Sequence, residues 1–246
     1  MASESTYDGS EGRPLQGADV QAASQSHLIS RALAHTAARD QRVLADLSHE
    51  LGNIFHKLYY WAELMGRVAP DGEETAPEML ERTIRHLEEY LRTALEYFTP
   101  VEVSPTTMRA GDVVSSFSGH LSARLCGTSL DVRPVDESLA QRAILVDPGR
   151  ISQAIELAVR HLGRLVGDDS RITVSLHHEV ANGGHPCIEL RTAVLRPVGD
   201  PGLFRTSEAG LEWALLGKLV RLHGGEVAEV EHVGERWFSI LIPVSG

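Results

Sequence analysis

The feature that most constrains this chain is a run of apolar residues whose spacing alternates between three and four: Leu44, Leu47, Leu51, Ile54, Leu58, Trp61 and Met65. A helix of 3.6 residues per turn gathers such positions into one narrow stripe, here sustained over three heptads, which has to be covered along its length by other helices. Pro70, Asp71 and Gly72 break the pattern, and Leu80, Ile84, Leu87, Leu91, Ala94 and Phe98 resume it at steps of four and three. The two helices make a hairpin. A single hairpin buries little, so two hairpins paired in a four-helix bundle are the natural way to cover both seams, and the spacing predicts a homodimer. Packing of the hairpin against the C-terminal half of the same chain is the alternative.

The flanking composition sets the organisation. Residues 1–26 are rich in Ser, Gly, Gln, Ala and acidic groups and nearly lack large apolar side chains, which predicts a disordered tail. The hairpin then occupies 27–100. Pro100 and Pro105 mark a linker, whose core is 101–107, and 108–246 reads as a mixture of helices and strands. Helices are expected near Ala110 to Leu125, from Asp147 to Leu165 with Asp147-Pro148 as N-cap and first residue, and from Glu208 to His223, ended by Gly224-Gly225. Strands are expected over Ser129 to Val135, over Ile172 to Val180 and Cys187 to Leu195 around an Asn182-Gly183-Gly184 turn, and in a closing hairpin of Glu226 to Glu231 and Trp237 to Val244 turned at Gly234. The expected class is α+β: a helical hairpin followed by a two-layer α/β sandwich.

Charge and composition narrow the partners. A net charge of −11 repels nucleic acid and anionic lipid over most of the surface, which points to a protein partner. There is no run of eighteen apolar residues and no basic segment leading into an apolar one at the N-terminus, so the expectation is a cytoplasmic protein without a membrane span. Cys126 and Cys187 lack the paired spacing of a zinc site and read as buried apolar residues, and the twelve histidines form no H-E-x-x-H pair.

One histidine stands out by position. With Leu44 at heptad position a, His49 falls at f, furthest from the seam; Asn53 follows at c and His56 at the next f, so all three are expected to face water. An imidazole keeps an unprotonated ring nitrogen available near neutral pH and can attack phosphorus. Glu50 is expected to hydrogen-bond the other ring nitrogen of His49, and Asn53 to align a water.

The segment Ser48-His49-Glu50-Leu51-Gly52-Asn53 resembles the H-box of two-component histidine kinases, the His-Glu-x-x-Asn/Thr motif of their dimerisation and phosphotransfer hairpin. From about residue 40 to the end the chain is similar to that family. Val146 to Gln153 resembles the approach to the helix that carries the metal-coordinating asparagine. Leu203-Phe204, Gly210-Leu211 and Leu222-His223-Gly224-Gly225-Glu226 resemble the F-box, the last glycine-rich box and the helix end that follows. Against the family's Asn-Leu-x-x-Asn-Ala, this chain has Leu157-Ala158-Val159-Arg160-His161-Leu162, with His161 at the place of the second asparagine. In place of Asp-x-Gly-x-Gly it has Arg191-Thr192-Ala193-Val194-Leu195-Arg196-Pro197, and Gly199 and Gly202 have lost the spacing. Without a metal ligand and close backbone approach, phosphate binding loses its main sources of energy.

The resemblance implies a dimeric histidine phosphotransferase with a degenerate ATPase-like domain, passing phosphate between receiver aspartates of response regulators through His49. It implies no cofactor on this chain, magnesium on the partner receiver, and a docking surface that includes His56 and Tyr60. Two other readings stay open: a non-catalytic scaffold or regulator of a receiver or kinase, and an active ATP-dependent histidine kinase.

Overall fold

The computed structural model describes residues 16–65, 75–125, 129–166, 171–180, 186–195, 210–232 and 235–244. The chain divides into two compact units, Met1–Ala45 and Asp46–Gly246. In the first, the described part is the N-terminal stretch of a single long helix, α1 (Gln16–Leu64). Composition places a tail up to residue 26, whereas α1 already begins at Gln16; Ala18, Gln21, Ala22, Ala23 and Gln25 are good helix formers, and a nucleated helix extends into such residues at little cost.

In the second unit the C-terminal part of α1 and α2 (Ala76–Phe98) form the hairpin. Glu78 starts α2 by reaching back to the Thr75 N–H, which donates to Oε2 at 2.8 Å, and Pro77 sits in the first turn. The break at Pro70 to Gly72 lies outside the described residues. Ile54 is fully buried, Leu47, Leu51, Leu58 and Trp61 are half-buried, and on α2 Thr83, Ala94 and Tyr97 are buried.

Beyond the hairpin come β1 (Thr106–Arg109), α3 (Ala110–Arg124), β2 (Ser129–Val132), α4 (Glu137–Ala140), β3 (Ala143–Val146), α5 (Pro148–Leu165), β4 (Arg171–Val180), β5 (Pro186–Leu195), α6 (Leu211–Leu222), β6 (Glu226–His232) and β7 (Glu235–Pro243). The main sheet runs β2-β4-β5-β7-β6, with β2 and β4 parallel and the other neighbours antiparallel; β1 and β3 form a separate antiparallel pair. Residues on alternate positions, including Ile172, Val174, Ile188, Leu190, Phe238, Ile240 and Ile242, are buried together with the apolar faces of α3, α5 and α6. This is an α+β fold. The linker reading of 101–107 is corrected at its end, because β1 starts at Thr106, which pairs with Val146. Four residues are too few to display an alternation, and their partner strand is remote in sequence. The turns at Asn182-Gly183-Gly184 and Gly234, and Cys126, lie outside the described residues; Cys187 is buried.

Local chemistry explains the element ends. Asp147 caps α5 by accepting from the Arg150 N–H at 3.0 Å, and its second oxygen accepts from the Ser104 N–H at 2.8 Å, tying the incoming segment to the helix. These backbone donors, Ser104 first, hold the Asp147 carboxyl below the usual range. At the C-terminus of α6 the Gly225 N–H donates to the Val220 carbonyl at 3.1 Å and the Gly224 N–H to the Arg221 carbonyl at 2.9 Å, with Gly224 at φ 73°. That pair of bonds is a Schellman motif. His223 beside it donates from Nδ1 to the Leu219 carbonyl and accepts from the Asp147 N–H at Nε2 (3.0 Å), joining the end of α6 to the start of α5. No helix among the described residues is long and apolar enough to cross a membrane.

A β-carbon at Gly225 would lie 2.2 Å from the Leu241 carbonyl oxygen and 2.9 Å from Val220 Cγ1. Gly225→Ala is therefore expected to lower stability by about 1–3 kcal/mol through a backbone displacement. Gly224→Ala is expected to cost about 1–2 kcal/mol through its left-handed conformation. Urea denaturation of both variants checks this, and wild-type stability of Gly225→Ala would contradict the close approach.

Candidate functional site

The segment Ser48 to Asn53, which resembles an H-box, lies on α1 within the hairpin. At roughly 100° per residue, Phe55, Tyr59 and Ala62 fall on one flank of the buried Ile54, while His49, Asn53 and Tyr60 fall on the other. His49, Asn53, His56 and Tyr60 are all exposed, as their heptad positions require. Tyr60 meets Trp61 edge-on with ring centroids 4.8 Å apart. On α2, Ile84, Leu91, Leu95 and Phe98 are exposed and share one flank, and His86 occupies the opposite one. Because the helices are antiparallel, the two apolar flanks face the same side of the hairpin, and the polar residues face the other.

Glu50 departs from expectation. Its carboxylate does not turn to His49: Oε1 lies 3.9 Å from Nε2 of His86 on α2, and Oε2 accepts from Asn53 Nδ2 at 3.5 Å. Successive helical residues diverge by about 100°, so Glu50 points into the groove between the helices while its neighbour points to water. Tyr90, stacked at 6.4 Å from His86, lies in the same groove. Burial, then the negative charges of Glu50 and Asp46, push its phenol above the ordinary value. His86 and Tyr90 escaped sequence reasoning because only the register of the hairpin brings them to the H-box.

The second locality is the layer between α5, α6 and the sheet, where the resemblance places nucleotide residues. His161 on α5 is 4% exposed, and its ring lies 4.6 Å from that of Trp213 on α6 and 6.2 Å from that of Phe238 on β7. Its Nε2 is 3.4 Å from Glu229 Oε2 on β6, and the other Glu229 oxygen is 3.2 Å from Nε of the buried Arg236 on β7. Thr192 on β5 is fully buried. Burial alone would raise the Glu229 pKa, but the hydrogen bond and charge of His161, with that of Arg236, hold it below the usual range. Gly199, Gly202 and Leu203-Phe204 lie outside the described residues.

The sandwich is also fastened to the hairpin. Lys218 on α6 donates from Nζ to the carbonyls of Tyr97 and Thr99 at 2.5 and 2.7 Å, capping the C-terminus of α2, and its ammonium stands 5.7 Å from the centroid of the Tyr97 ring. Gln153 on α5 donates to Glu96 on α2 at 2.7 Å.

A folded pKa below the unfolded one means that Glu229 stabilises the protein above the ordinary carboxylate range, and that this contribution disappears as pH falls through the lowered value. Glu229→Gln leaves Arg236 beside a neutral amide. The expected cost is on the order of 2 kcal/mol near neutrality, less than for a fully buried pair because the Glu229 side chain is 21% exposed. The difference from wild type should shrink in acid; an equal difference at both pH values would refute the charge assignment.

No protein-family model and no curated protein matches the sequence. Among solved structures, the Acinetobacter baumannii histidine kinase AdeS superposes with a TM-score of 0.54 at 18% identity, over 80% of this chain and 98% of that one. The histidine kinase ThkA, solved in complex with the response regulator protein TrrA, gives a TM-score of 0.61 at 16% identity, over 84% of this chain and 64% of that one. The chain therefore has the fold of a histidine kinase's helical hairpin and ATPase-like domain, and at these identities the likeness is one of architecture.

Proposed function

We propose that this chain is a two-component phosphotransfer protein that moves phosphoryl groups between receiver aspartates through His49 without using ATP. The observation that carries the reading is an exposed His49 with Asn53 one turn on, in the same chain as a nucleotide-site layer filled by its own side chains. Magnesium in a nucleotide site needs oxygen ligands and keeps several waters. The position of the family's asparagine instead holds the His161 imidazole, packed against Trp213 and engaged with Glu229, while Thr192 supplies no carboxylate for an adenine amino group. These residues do not fit magnesium-ATP. Lys218 adds support by tying the sandwich to the end of α2, since an autokinase has to carry its nucleotide to the histidine.

In the proposed step, a neutral ring nitrogen of His49 attacks phosphorus of a receiver aspartyl phosphate. The N–P bond forms, the P–O bond to the aspartate breaks, the carboxylate leaves, and the imidazolium releases its proton to solvent. The receiver supplies the aspartate and magnesium. His56 and Tyr60, on the same exposed strip, would form part of its docking surface. The reverse step loads a second receiver. Asn53 carries no phosphate and would orient a water for receiver dephosphorylation. Glu50 acts in this reading through Asn53 rather than on His49.

The second chain of the homodimer would cover the apolar flank. Phe55, Tyr59, Ile84, Leu91, Leu95 and Phe98 expose large apolar surfaces on one side of the hairpin, a continuous stripe of the kind that two hairpins bury against each other. Leu91→Glu places a charge in that seam and is expected to convert dimer to monomer in sedimentation, while a monomeric wild type at micromolar concentration would overturn the bundle.

Incubation with a panel of phosphorylated receivers tests the transfer itself. Acid-labile, base-stable label is expected on the wild type and absent from His49→Gln. Asn53→Ala is expected to take up label while receiver dephosphorylation slows by about tenfold to a hundredfold. Label on His49→Gln would overturn the assignment, and micromolar binding of magnesium-ATP by calorimetry would restore the kinase reading.

A further inference from the structure

On α2, His86 comes within ion-pair reach of the H-box-like segment of α1. The two oxygens of the Glu50 carboxylate face two different residues: Oε1 faces His86 Nε2 across the hairpin at 3.9 Å, and Oε2 faces Asn53 Nδ2 one turn along α1 at 3.5 Å. The first distance is within ion-pair reach and longer than a hydrogen bond; the second is at the limit of one. The Glu50 side chain is 29% exposed, against 54% for His86, so the carboxylate is the more deeply seated of the two. Tyr90 lies in the same groove, its ring stacked with that of His86 at 6.4 Å between centroids.

We propose that His86 is a positioning residue for Asn53, acting through Glu50. His86 Nε2, within ion-pair reach of one carboxylate oxygen, favours the Glu50 rotamer that faces it; the other oxygen then accepts from the Asn53 amide nitrogen. With its nitrogen held, the amide turns Oδ1 outward, where it accepts a hydrogen bond from the water that attacks the receiver's phosphorus. In that reaction the water oxygen bonds to phosphorus, the P–O bond to the aspartate breaks, and the water proton passes to solvent. The arrangement rests on the reading of Asn53 given above. It explains why the H-box glutamate is turned away from the histidine beside it: here the carboxylate serves the amide, and His49 stands free of it.

The test compares His86→Leu, which removes the donor, with His86→Gln, which keeps an N–H on a flexible side chain, and with Glu50→Gln, alone and combined with His86→Leu. Circular-dichroism melts confirm that each variant is folded. The first readout is the Asn53 side-chain amide pair in nitrogen–proton correlation spectra of the intact protein, which requires no activity. His86→Leu should move these resonances toward those of a free surface amide and His86→Gln should largely restore them. Glu50→Gln should shift them as well, and the double variant no further than the larger single change. The second readout is the ratio of receiver dephosphorylation to label uptake on His49, expected to fall roughly threefold to tenfold in His86→Leu, the scale of one lost hydrogen bond, and to recover in His86→Gln. Unmoved Asn53 resonances in His86→Leu, or equal changes in the Leu and Gln variants, would overturn the proposal. If the wild type neither takes label nor dephosphorylates any receiver, the phosphotransfer reading fails, and the spectra still decide whether His86 holds Asn53 through Glu50.

Discussion

The arrangement of the candidate site depends on one apolar contact line, the seam centred on Ile54 of α1 and the small or half-buried residues Thr83, Leu87 and Ala94 of α2. Once that line is buried, the helical repeat leaves no freedom about the rest. Positions turned by about a quarter of a circle in one direction present Phe55, Tyr59, Ile84 and Leu91, and those turned the other way present Asn53, His49 and His86. The hairpin thereby has an apolar side and a polar side. Burial of a few side chains decides both.

The same seam determines which groups can act on one another. Glu50 and His49 are neighbours in sequence whose side chains point apart, whereas Glu50 and His86 are distant in sequence and lie 3.9 Å apart, within electrostatic reach. Asn53, one turn beyond Glu50, is within range of the same carboxylate. His49 and Asn53 are both exposed, and of the two it is Asn53 that lies within reach of the Glu50 carboxylate.

In the sandwich the decisive feature is a polar cluster inside an otherwise apolar layer. His161, Glu229 and Arg236 come from α5, β6 and β7, and aromatic rings of Trp213 and Phe238 surround the imidazole. Buried charges are tolerated where they are paired, and this set couples three elements that would otherwise meet only through apolar contact. Lys218 and Gln153 then join the layer to α2, so that hairpin and sandwich belong to one compact unit.

Local sequence was enough for the elements whose signals are local. The heptad stripe named the hairpin helices, Asp147-Pro148 the start of α5, Gly224-Gly225 the end of α6, and alternation the strands β4 to β7, because period, cap and turn chemistry act within a few residues. The exposure of His49, Asn53, His56 and Tyr60 followed from the same helical frame. Other features were invisible: β1 and β3, four residues each, have no pattern of their own, and each exists because the other is beside it. The orientation of Glu50, the approach of His86, the Lys218 cap on α2 and the His161–Glu229–Arg236 cluster likewise required the tertiary structure. A side chain's partner across a hairpin or a sheet is set by register, and register is the outcome of burying the whole core at once, which no single segment encodes.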